Sequence, residues 1–101
     1  GKIKQLRRER SRKRMMANVP TATVVVTNPT HFAVALKYEP GMVAPVCVAK
    51  GMDLIALKIR EIATASDVPI VENVPLARAL HASVKVDQPI QEEHLRGVAE
   101  V

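Results

Sequence analysis

The sequence predicts an α/β domain: a small mixed sheet of four strands flanked by helices, with a basic helix leading in. Three observations carry this. Two strand-like runs, residues 23–27 and 32–36, meet at a sharp turn built on Asn28-Pro29-Thr30-His31. An amphipathic stretch then places Ile55, Ile59 and Ile62 at i, i+4 and i+7, with Lys58 and Glu61 on the other side. A further apolar run at 68–71 follows that helix, and strand–helix–strand succession requires at least one parallel pairing through a right-handed crossover.

Taken in order, residues 2–18 are rich in Lys, Arg, Gln, Glu and Met, carry no Gly or Pro, and have only a thin apolar stripe through Ile3 and Leu6. Such a segment is helix-permissive and solvated, helical near the body and frayed before it. Pro20 ends it, and the first strand is expected over about 22–27. The second, about 32–38, alternates Phe32, Val34, Leu36 and Tyr38 with Ala33, Ala35 and Lys37. Both of its faces are mostly apolar, which marks a central strand covered on both sides. Glu39-Pro40-Gly41 is a turn by its chemistry. A third strand is expected over 45–49, broken by Lys50-Gly51. A helix follows over 52–65, closed by Ser66-Asp67, and a short fourth strand over 69–72. Pro75 suits the first turn of a helix at 75–83. After the loop around Asp87-Gln88-Pro89, a last helix is expected over 90–101, with Gln91, Glu92 and Glu93 near its positive end.

At 101 residues there is room for one domain and a modest core. Phe32 and Tyr38 are the two aromatic residues, so the core is built from Val, Ile, Leu, Met and Ala. The lone Cys47 forms no internal disulfide and reads as a buried small hydrophobe in a reducing compartment. No run approaches the roughly 18 apolar residues needed to span a bilayer, so this piece is expected to be soluble. Gly1, where a start methionine would stand, reads as an expression remnant.

The net charge of +5 is unevenly spread. Residues 1–16 hold eight Lys or Arg against Glu9, a net of +7, while the rest hold seven basic and nine acidic side chains, a net of −2. The basic character therefore belongs to the arm at 1–18 and not to the domain at 19–101. Three readings of the arm compete: a solvated helix with no partner, a nucleic-acid arm lacking interleaved aromatics, and a juxtamembrane linker drawn to anionic lipid. The third is favoured.

The chemistry points to the turn. Asparagine before most residues deamidates through attack by the following backbone nitrogen, but Pro29 supplies a tertiary amide with no hydrogen to lose. The reverse attack remains open. The Asn28 side-chain nitrogen adds to its own carbonyl carbon, closes a succinimide and expels Pro29 as a new amino terminus. A fold that holds the attacking atom in place contributes up to roughly 7 to 11 kcal/mol in the best intramolecular cases. With Asn28 at position i of a β-turn, the turn hydrogen bond runs to its carbonyl from the His31 N–H and resembles half an oxyanion hole. Thr30 is positioned by sequence to orient the Asn28 side chain, and the His31 imidazole to act as acid or as base. Against this stands the ordinary use of Asn-Pro as a turn initiator.

Other chemistries find no support. His81 and His94 lie on separate expected helices with no Cys or carboxylate at metal-ligand spacing, so no metal site is expected. The four glycines never cluster into a phosphate-cradling loop, and no Gly-x-Ser-x-Gly elbow occurs. No cofactor is implied. Arg78 is an exposed helix charge or a partner contact.

The string NPTHFAVALKY at 28–38, with VAKG at 48–51, LIALKIREIA at 54–63 and PLARAL at 75–80, resembles the cytoplasmic domain of the FlhB/YscU/SpaS family. The resemblance runs from about Arg14 to the C-terminus, and its last two strings look more like the flagellar branch. Phe32 stands where Tyr is the commoner residue. The resemblance implies a type III export-apparatus switch domain on the cytoplasmic face of the bacterial inner membrane, preceded by a membrane-embedded part. It implies self-cleavage between Asn28 and Pro29, with Thr30 and His31 in support, as a single-turnover event and not multiple-turnover enzymology. It further implies that cutting controls a switch in export substrate specificity, and that the partners are flagellar export substrates and other export components, with no nucleic acid. The cut fragments are expected to stay associated. The alternative is a small basic-armed nucleic-acid-binding module whose Asn-Pro turn is inert.

Overall fold

A computed structural model describes residues 12–28, 31–91, 94, 97 and 98. Residues 12–18 form helix α1, which tightens into a 3-10 turn over Val19–Thr21 with Pro20 inside it. Then come β1 (Val24–Asn28), β2 (Phe32–Lys37), β3 (Val46–Met52), α2 (Leu54–Ala65), β4 (Ile70–Glu72) and α3 (Val74–Ser83). Of the closing segment expected as a helix over 90–101, Ile90 and Gln91 are not helical, the Ile90 N–H being drawn to the Pro45 carbonyl at 2.9 Å; residues 94, 97 and 98 are helical, and the others lie outside the described residues. So do residues 1–11 of the basic arm.

The sheet order is β3-β2-β1-β4. β1 and β2 form an antiparallel hairpin with Val24 opposite Leu36 and Asn28 opposite Phe32. β3 is antiparallel to β2, and β4 runs parallel to β1; the strand–helix–strand succession β3-α2-β4 does not pair its own two strands, because α2 carries the chain across the sheet face and sets β4 at the opposite edge. Alternation along β1 and β2 separates two cores. Val25, Ala33 and Ala35 pack with Ala56, Ile59 and Ala63 of α2, joined by Met15 and Met16 of α1. Val26, Val34 and Leu36 pack with Leu76, Ala77 and Leu80 of α3. The alanines on the first face let α2 lie close, and the larger residues on the second fill the space under α3. Ile59 is fully buried and Ile55 and Ile62 pack beside it, so the isoleucine stripe is core.

The end of β2 and the starts of β3, β4 and α3 each fall one residue from expectation, and four other boundaries shift as follows. β1 starts at Val24, not 22, because the Ala22 N–H closes the 3-10 turn on the Val19 carbonyl at 3.0 Å. It ends one residue later, at Asn28. β3 does not break at Lys50-Gly51 but continues to Met52, with Gly51 opposite Ala33 and Met52 opposite Phe32. Glycine serves here as a point of close approach: a Cβ on Gly51 would overlap Cγ2 of Ile55 and lie 2.7 Å from its Cβ. Helix α2 therefore begins at Leu54 instead of 52, after Asp53 turns the chain at φ 53°, ψ −118°.

Both helix ends use local chemistry. At α2, the Ser66 N–H bonds the Ile62 carbonyl at 3.0 Å, and Asp67 takes φ 59° as the left-handed residue. At α3, Asn73 Oδ1 accepts the Leu76 N–H at 3.2 Å, with Pro75 in the first turn. The loop at 87–90 does more than connect. The Cys47 N–H bonds the Gln88 carbonyl at 2.9 Å, the Asp87 N–H bonds the Cys47 carbonyl at 2.6 Å, and Val46 bridges Pro89, covering the start of the outer β3 edge.

Candidate functional site

The strand ends Asn28, Met52 and Glu72 gather at one end of the sheet, beside the starts of β2, α2 and α3. Asn28 closes β1 and is 9% exposed, one of two buried polar residues with Thr27 among the described residues. Thr27 is fastened on the side away from β2. Its carbonyl accepts the Asn73 N–H at 2.9 Å, and its Oγ1 donates to the Val71 carbonyl at 3.5 Å. The residue before the Asn-Pro bond is thus held by β2, β4 and the start of α3 together.

The expected turn bond is present: the His31 N–H donates to the Asn28 carbonyl at 2.9 Å. It withdraws charge from the carbonyl carbon that a cyclising asparagine attacks, and one donor amounts to half an oxyanion hole. Pro29 and Thr30, the expected leaving group and orienting hydroxyl, lie outside the described residues. Of the four residues singled out in the sequence, the structure brings Asn28 and His31 together through the backbone.

His31 turns its side chain outward, 62% exposed, with Nδ1 4.0 Å from Oδ1 of Asp53. Its carbonyl accepts the Asp53 N–H at 2.9 Å. By sequence Asp53 falls in the first turn of the helix expected over 52–65, with no other role. It lies far from His31 along the chain, and its left-handed φ has no signature short of the fold itself. Phe32, next in line, packs against the His81 ring at a tilt of 37° with centroids 4.6 Å apart and stands 6.3 Å from the His31 ring. Lys50 donates from Nζ to the His81 carbonyl at 2.9 Å, a cation on the last turn of α3 where the helix dipole favours it. Burial, and then the Lys50 charge, hold the His81 imidazole below its ordinary pKa. Cys47 is buried on the α3 side of the sheet, where desolvation pushes its thiol up to about 11 despite the opposing pull of Lys50.

Among the described residues, no cluster of three or more His, Cys, Asp or Glu is placed to hold a metal ion, and no helix is long and apolar enough to cross a membrane. His94 instead meets Ser83, Nε2 to Oγ at 3.0 Å, tying the closing segment to α3. The Ser83 hydroxyl also lies 2.7 Å from the Ala79 carbonyl of its own helix, so the contact fastens the closing segment to α3.

Comparison with known proteins gives one answer at three levels. A profile of the FlhB HrpN YscU SpaS family matches residues 1–101. The chain is 56% identical over 102 residues to the flagellar biosynthetic protein FlhB of Bacillus subtilis, covering 100% of this chain and 28% of that protein. Against FlhB of Escherichia coli the identity is 50% over 102 residues, covering 100% and 27%. The chain thus spans little more than a quarter of these relatives. In structure it resembles the cytoplasmic domain of FlhB from Shewanella putrefaciens, with a TM-score of 0.84 and 47% identity, covering 88% of this chain and 69% of that one. It also resembles a mutated EscU C-terminal domain, at TM-score 0.81 and 36% identity, covering 85% and 87%.

Proposed function

The chain belongs to the FlhB HrpN YscU SpaS family, and from that premise we propose that it is the cytoplasmic switch domain of a flagellar type III export-apparatus protein that cuts its own backbone between Asn28 and Pro29. The observation that carries the proposal is the 2.9 Å hydrogen bond from the His31 N–H to the carbonyl of a buried, strand-anchored Asn28. The side-chain nitrogen of Asn28 attacks that carbonyl carbon, and the carbon–nitrogen bond to Pro29 breaks. The proton lost by the attacking nitrogen passes to the proline nitrogen. Water then opens the succinimide. The event is single-turnover, uses no cofactor, and draws on the rigidity of β1 to keep nucleophile and carbonyl in register.

In this reading the cut alters one surface and leaves the fold standing. Residues 12–28 carry the fully buried Val19, Val25 and Val26, and β1 pairs on both sides, with β2 and with β4. The new ends at Asn28 and Pro29 separate, and that local change switches which export substrates the apparatus accepts. The domain lies at the cytoplasmic face of the bacterial inner membrane, with the basic arm as its juxtamembrane linker and with export substrates and other apparatus components as partners.

Intact-mass measurement and a denaturing gel test the reading together. Cleavage gives fragments 1–28 and 29–101 whose masses sum to the chain plus one water, and Asn28→Ala abolishes both. A chain that stays whole through long incubation at neutral pH overturns it.

A further inference from the structure

Asp53 is the described residue whose backbone is hardest to account for by local preference. Its φ of 53° with ψ of −118° is a conformation that suits glycine and strains a residue with a Cβ. Its carboxylate makes no cap hydrogen bond to α2, so helix capping does not explain it. What the strained conformation achieves is directional. It aims the Asp53 N–H at the His31 carbonyl, 2.9 Å away, while the next amide upstream of that carbonyl, the His31 N–H, bonds Asn28. His31 is thereby held from both sides, by the end of β1 and by the corner between β3 and α2.

We propose that Asp53 is a positioning residue for the Asn28 turn, acting through its main chain: its left-handed backbone and N–H clamp His31 so that the His31 N–H stays on the Asn28 carbonyl. The inference rests on the self-cleavage reading for its kinetic consequence, not for its geometry. The carboxylate is secondary. At 4.0 Å from the imidazole and 69% exposed, it forms the kind of surface pair that contributes little. The anchor behind Asp53 is firm, since Gly51 packs on Ile55 and Met52 pairs with Phe32. The clamp thus links the first turn of α2 to the bond that breaks.

Three variants separate backbone from side chain. Asp53→Gly keeps the backbone freedom and removes the carboxylate; Asp53→Asn keeps tolerance of positive φ and removes the charge; Asp53→Val keeps neither. In a pulse–chase of freshly translated chain, Gly and Asn at this position hold the cleavage rate within about twofold of the parent, while Val slows it about tenfold or more, as misplacement of a reacting group does. The pH profile of the rate keeps its shape in the Asn variant, as expected if the charge is secondary. Equal rates for the parent and Val variants overturn the proposal, as does an Asn variant as slow as Val.

A second arm needs no cleavage. In the Asn28→Ala background, amide hydrogen exchange at His31 and Asp53 speeds up on adding Asp53→Val, while exchange at Ile59 and Val34 stays slow. If the parent chain never cuts but this exchange change appears, the self-cleavage reading falls and the clamp stands. If both amides keep their protection, the clamp falls whatever the chain does.

Discussion

At the scale of single residues, the site divides into what the primary structure exposes and what it hides. In the proposed site, the bond from the His31 N–H to the Asn28 carbonyl is readable because β-turn geometry alone directs it, whereas Pro29 and Thr30 lie outside the described residues. The role proposed for Asp53 is hidden because it depends on a backbone angle and on a β3 that outruns its expected end. Two titrating groups make predictions of their own. The native fold favours neutral His81, so its contribution to stability is complete above about pH 6.5, the ordinary value, and is lost as pH falls through that value toward the lowered one. Urea midpoints measured from pH 7 to pH 5 should therefore fall less in His81→Gln than in the parent. Cys47 behaves oppositely. Its thiol is raised from 9.0 to about 11, so its share of stability holds below pH 9 and is lost as pH climbs through that interval. At pH 8 the folded protein should react with a thiol reagent orders of magnitude more slowly than the protein in urea.

The elements show where periodicity suffices. The isoleucine stripe of α2, the two-sided burial of β2 and the proline start of α3 all follow from spacing and residue type, because each element's inward face must be continuous. Boundaries follow less well. Lys50-Gly51 reads as a strand breaker by composition, yet Gly51 lies inside β3 because Ile55 of α2 occupies the space a side chain would need. That contact yields a test: Gly51→Ala should destabilise the domain by about 1 to 3 kcal/mol in urea titration, through overpacking against Ile55. Ile59→Ala, which empties a fully buried site between α2 and the sheet, should cost about 2 to 5 kcal/mol by the same measurement. A loss below about 1 kcal/mol in either would show that the helix shifts to accommodate the change.

For the molecule as a whole, the fold class and the turn joining β1 to β2 were legible, but the strand order was not, since nothing local says that the chain leaving β3 crosses to the far edge to pair with β1. The seal that 87–90 places along β3 was not, since a Pro-containing loop carries no pattern announcing that it will pair with an edge. The position of β1 has the widest consequence. It lies inside the sheet and not at its border, so a backbone broken after Asn28 turns one chain into a tightly held heterodimer of unequal parts. Unfolding then becomes dissociation: the melting temperature of cut protein should rise with concentration, whereas that of the uncuttable Asn28→Ala form should not. Dilution after denaturation would restore the second and strand the first, so the proposed cut, once made, would leave a thermodynamic record that persists.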